Sequence, residues 1–165
     1  MQRTMSEKDM FLNTFEREYQ TTLRVLKAYP PERADLKPSA KSKDALELAW
    51  MLVLNQGVVI PTLDNQLDPT KLPAAAKNWN EIVPALEGAH RAAIDRLNGS
   101  TDEDWNRTIK IPVAPKTIGD MRVGDALWFF LSDTIHHRGQ FTVYLRMAGG
   151  KLPSVYGPTA DESWS

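Results

Sequence analysis

The sequence predicts an all-α fold built on four long helices. Four segments repeat apolar residues at spacings of three and four, proline or glycine punctuates each gap, and no stretch shows a convincing strand alternation. The first segment opens on "SEKD", a capping-box-like start in which Ser6 accepts from the amide near Asp9. It runs through Phe11, Phe15, Tyr19, Leu23 and Leu26, and "YPPE" stops it. The second lies within "PSAKSKDALELAWMLVLNQG", with Ser42 as N-cap and Gly57 near its end. Ala45, Leu46, Ala49, Leu52 and Val53 make more than half its circumference apolar, which predicts burial on several sides.

"VVIPTLDNQLDPTKLP" reads as a proline-rich loop. The third helix follows within "WNEIVPALEGAHRAAIDRLNG", on Ile82, Leu86, Ala89, Ala93 and Leu97, with Pro84 in its first turn where a missing N–H does no harm. "STDEDW" predicts a short capped helical turn, and "NRTIKIPVAPKTIGDMR" an irregular or weakly extended connection. The fourth helix spans about Val123 to Ala148 and closes on a glycine pair. Residues 1–165 are expected to form one domain, with 151–165 as an irregular tail.

Bulk composition narrows the functions. Twenty basic and 21 acidic side chains nearly cancel, so no electrostatic grip on nucleic acid or an anionic membrane is expected. Cysteine is absent, which removes disulfides, a thiolate nucleophile and cysteine-ligated zinc. Any metal must be held by nitrogen and oxygen. The N-terminal "MQRTMSEKDMFLNTF" has no apolar signal region, and "LAWMLVL" is too short to span a bilayer, so a soluble cytoplasmic protein is expected.

The chemistry concentrates on the last helix, at "DTIHHRGQF". On a helical wheel Asp133 and His137 share a face with Ala126, Phe130, Phe141, Tyr144 and Ala148, and His136 is turned toward the flank. A carboxylate in the middle of an apolar stripe needs compensation. An imidazole four residues on supplies it, as a hydrogen-bond partner or as a second ligand to one cation. Two roles are therefore open to the pair. One is structural, with Asp133 orienting a buried histidine. The other is chemical, as metal ligands or as a general base, His137, oriented by Asp133.

Arg138 has two readings as well, solvated or paired with a carboxylate on another helix or subunit. Gly139, costing about 1 kcal/mol in a helix, predicts close approach of another backbone. His90 reads as a satisfied core or edge imidazole, Tyr144 as a packing residue, and Trp50, Trp79, Trp105 and Trp128 as packing for the bundle or a dimer face.

"MRVGDALWFFLSDTIHHRGQFTVYLRMAGGKLPSVYG" resembles the last helix and tail of the DinB/YfiT-like superfamily, through "HHRGQ", "YLR", the glycine pair and "P..YG". "LELAWML" and "LEGAHRAAIDRLNGSTDEDW" fit the corresponding earlier elements. The resemblance implies an up-down-down-up four-helix bundle, commonly a homodimer. It also implies a divalent metal, such as nickel or zinc, on three histidines, and in some relatives a low-molecular-weight thiol as co-substrate. Carried over, those histidine positions fall on Met51, Asp133 and His137. Aspartate is a credible substitute, whereas a neutral thioether matches these ions poorly. Glu47, one turn before Met51, is a candidate replacement ligand, and Asn55 lies one turn after it. The expectation is a DinB-like protein of unassigned activity, with an altered or vestigial metal site and a small-molecule ligand as a candidate partner. The alternative is a metal- or thiol-dependent transferase or hydrolase using Asp133 and His137.

Overall fold

The structure, a computed structural model, describes residues 4–164. The chain is mostly helical. Helix α1, Glu7–Lys27, starts on the expected capping box, with Ser6 Oγ accepting from the Asp9 amide at 3.1 Å and the Asp9 carboxylate accepting from the Ser6 amide at 3.1 Å. Helix α2, Ala45–Gly57, is capped by Asp44 rather than Ser42. Asp44 and Glu47 form their own reciprocal box at 2.8 Å each way, while the Ser42 hydroxyl faces Ser39.

The chain does not leave the helix axis for a loop after Gly57. It continues as α3, Val59–Leu63, with Pro61 inside a first turn where no amide is needed. Ala45–Leu63 together make 19 residues with a mean hydropathy of 1.4, long and apolar enough by composition alone to cross a membrane. Ala45, Ala49, Leu52, Val59 and Leu63 are buried in the bundle instead, the pattern of a central helix packed on several sides.

Helix α4 is Ile82–Asn98, and Pro84 sits in its first turn as expected. The short α5, Asp102–Asn106, is capped by Thr101. The next stretch corrects the purely α-helical expectation. Strands β1, Thr108–Ala114, and β2, Thr117–Arg122, form an antiparallel hairpin with Ile111 opposite Gly119. Ile109 and Ile111 alternate inward from β1 and are buried. Helix α6, Val123–Met147, ends at Ala148, with Gly149 at φ +82° providing the left-handed turn.

Two apolar clusters fill the interior. One gathers Leu26 late in α1, Tyr29 just after it, Leu48 early in α2, Ile82 opening α4, and Phe141 and Leu145 late in α6. The other gathers Phe11 and Phe15 early in α1, Val59 and Leu63 of α3, Leu97 late in α4, Val123 and Leu127 opening α6, and β1. Helix α2 packs against both α4 and α6, and the hairpin closes the end where α6 begins.

Between the clusters, Arg138 is buried and pairs with the buried Glu18 of α1 at 2.7 Å. Its guanidinium also donates to the Glu18 carbonyl at 3.1 Å and to the Tyr156 hydroxyl at 2.6 Å, and that hydroxyl donates to Glu18 Oε2 at 2.7 Å. Burial pushes the Glu18 carboxyl up, and the hydrogen bonds from Tyr156 and Arg138 outweigh it, leaving its pKa below the ordinary value. The tail beyond Gly150 is thus anchored on α1 and α6. Nothing lies within 4 Å of a Cβ built on Gly139, so no other backbone among the described residues approaches there.

Candidate functional site

Asp133 and His137 stand on one face of α6 where it lines up with α2, as their spacing requires. Both are partly buried, with side-chain exposures of 31% and 18%. His137 Nε2 lies 3.3 Å from Asp133 Oδ2, and its Nδ1 lies 3.0 Å from Gln140 Oε1. Both imidazole nitrogens therefore face oxygen. Asn55 Nδ2, from α2, donates to the same Asp133 Oδ2 at 2.9 Å. Asp133 Oδ1 accepts no hydrogen bond from any described residue.

This carboxylate lines a cavity of about 270 Å³ between α2, α6, the hairpin and the segment after α3. Met51, Leu54 and Val58 form one wall, and Ile111, Phe129 and Phe130 another. Among its lining residues Asn55 and Asp133 are the polar ones, and no lysine or arginine contributes. His137 opens on the other side, toward a shallow groove with Lys43, Gln140 and Tyr144. Tyr144 itself packs, its hydroxyl donating to the Lys43 carbonyl at 2.9 Å.

The residues of the expected metal site are only partly brought together. Met51 and Asp133 line one cavity, with His137 beside Asp133. Glu47 is not a ligand candidate, because its carboxylate is engaged with the Asp44 amide at the exposed start of α2. Asn55 turns an N–H, not an oxygen, toward Asp133. Among the described residues no group of three or more histidine, aspartate or glutamate side chains is arranged to hold a metal ion. A centre with three protein donors does not fit these side chains.

A second carboxylate–imidazole pair lies across the bundle. His90 of α4 places Nε2 2.7 Å from Glu16 Oε2 and Nδ1 3.0 Å from Gln56 Oε1. Its ring stacks on Tyr19 at 3.5 Å and 4°, and on Phe15 at 5.1 Å. Gln56 Nε2 is buried without a partner in that orientation. Turning the amide over lets the Gln56 N–H donate to Nδ1 of a neutral His90, whose Nε2–H then donates to Glu16. Burial holds the His90 pKa below its ordinary value, against the upward pull of Glu16, which agrees with the neutral ring. His90 is the satisfied core imidazole that the sequence suggested.

Sequence reasoning did not find the Asn55–Asp133 contact, which joins positions 78 residues apart, nor the inward direction of Glu18. Glu18 did leave a signal. It falls on the same helical stripe as Phe11, Phe15, Thr22, Val25 and Leu26, all of them buried.

The family model described as "DinB family" matches residues 1–164. The uncharacterized protein YrdA of Bacillus subtilis is 28% identical over 160 residues, covering 95% of this chain and 92% of YrdA. A DinB-like protein from Bacillus cereus has a similar crystal structure, with a TM-score of 0.74, 22% identity, and coverage of 88% of this chain and 95% of that one. YfiT from Bacillus subtilis, described as "a probable metal-dependent hydrolase with an unusual four-helix bundle topology", superposes with a TM-score of 0.66 at 14% identity, over 90% of this chain and 93% of its own. At these identities the two structures establish the fold, a four-helix bundle.

Proposed function

This chain belongs to the DinB family, and we propose that it is a small-molecule-binding member whose divalent-metal centre has given way to a polar line in which Asn55 donates to Asp133 and His137 stands 3.3 Å from the same carboxylate. The observation that carries this reading is the Asn55 N–H on Asp133 Oδ2 beside Met51, at the floor of an apolar cavity. Asn55 and His137 orient the carboxylate, and its second oxygen is left for a ligand. Such a cavity, apolar with a few polar groups, is the usual form of a small-molecule site.

The up-down-down-up arrangement belongs to the same proposal. It is supported by the cluster that joins the starts of α1 and α6 to α3, which follows α2, and to the far end of α4. A homodimer is supported by Val143 and Met147, exposed on the α6 face that also carries Gly139. A cytoplasmic location is consistent with a chain that contains no cysteine.

A second reading, a transferase or hydrolase using Asp133 and His137, draws on their 3.3 Å separation and on the hydrolase description attached to YfiT. There the unengaged Asp133 oxygen is the base, since the His137 nitrogens face Asp133 Oδ2 and Gln140 Oε1 rather than the cavity.

Calorimetric titration of tag-free protein with nickel and zinc tests the loss of the metal. The expected result is no binding tighter than about 0.1 mM, with Met51→His gaining about 100-fold in zinc affinity by adding a third donor. Tight binding by the unaltered protein would reverse the proposal.

A further inference from the structure

The cavity beside Asp133 has a charge character that selects among ligands. Its walls are apolar and aromatic, its one charged group is a carboxylate, and no basic side chain lines it. The His137 imidazole meets Asp133 at Oδ2, the oxygen that Asn55 also occupies. Oδ1 meets no donor among those residues. An anionic ligand would meet the carboxylate with nothing to offset it. A neutral apolar ligand would shut water away from Oδ1 and offer no donor in its place.

We infer that this cavity takes a small organic ammonium ion, with its apolar body against Met51, Ile111 and Phe130 and an N–H on Asp133 Oδ1. This inference rests on the small-molecule reading above. The carboxylate favours a cation by direct charge pairing, and the apolar and aromatic walls take its body. The volume, about 270 Å³, exceeds the roughly 150 Å³ that accommodates benzene in an engineered cavity. Phe129, 53% exposed at the same wall, stands where a ligand body would cover it.

The test is calorimetry on the full chain in the presence of EDTA, with benzylammonium, benzyl alcohol and benzoate as probes of matched shape. Benzylammonium is expected to bind at least about 10-fold more tightly than benzyl alcohol, with benzoate weakest. Asp133→Asn should erase the preference for the cation, and Phe129→Ala should weaken the cation and the alcohol alike. Lys151→Ala, exposed in the tail, is the control and should change neither. If the alcohol or benzoate binds as tightly as the amine, the ligand class is wrong while the cavity reading stands. If no probe binds up to millimolar concentrations, both fall. Amine binding seen only in a parallel titration without EDTA would mean a metal carries it, which also overturns the inference.

Discussion

The two carboxylate–imidazole pairs of this bundle are chemically alike and physically opposite. His90 is 8% exposed, stacked between Tyr19 and Phe15, and held at both nitrogens by Gln56 and Glu16. Asp133 and His137 are partly exposed, and among the described residues no ring from another helix stacks on them and no donor meets the second carboxylate oxygen. The first pair is closed on protein. The second is open to a cavity. An accessible oxygen that the protein leaves free beside an apolar space, rather than the residue types themselves, separates a candidate site from a structural contact.

Substitution at the closed pair should have the largest effect. His90→Ala removes a ring packed on two aromatic side chains and leaves Gln56 buried without its partner, so a loss of about 3 kcal/mol is expected in denaturant unfolding. A loss below about 1 kcal/mol would dissolve the contrast between the pairs.

The same histidine gives a smaller, pH-dependent signature. Burial lowers its pKa from 6.5, so below that value the unfolded chain binds more protons than the folded one. Its contribution is complete above about pH 6.5 and is lost as the pH falls from there through the native value. Glu16 and Glu18, both lowered from 4.5, add their losses only further down. Between about pH 6.5 and 5, stability should fall by at most about 1.4 kcal/mol per unit. His90→Gln should flatten that slope in a pH series of unfolding curves.

Much of the fold was legible because it is written locally. Ser6, Thr101 and Gly149 mark helix ends by chemistry that acts over three or four residues. The hairpin was missed for a local reason too. Its turn holds Lys116 at φ +59° where glycine or asparagine would have announced it, and Pro112 interrupts the strand pattern. Pro61 read as a breaker, yet it lies in a first turn. At the site, helical spacing put Asp133 beside His137, since both are on α6. Asn55 and the cavity walls come from α2 and β1, and contacts between distant segments have no spacing to read.

The smallest expected effect is also the most discriminating test of the open pair. His137→Ala removes a contact of 3.3 Å to Asp133 and one of 3.0 Å to the exposed Gln140. Both groups are partly in water, so screening leaves the pair less than about 1 kcal/mol, and Asn55 still holds the carboxylate. The expected fall in melting temperature is about 2–4 °C at most for a chain of this size. A double-mutant cycle with Asp133→Asn isolates the coupling, because neither substitution disturbs the aromatic packing around His90. Coupling as strong as the His90→Ala loss would mean that Asp133 and His137 hold the bundle together, and the open pair would then be a structural contact like the closed one.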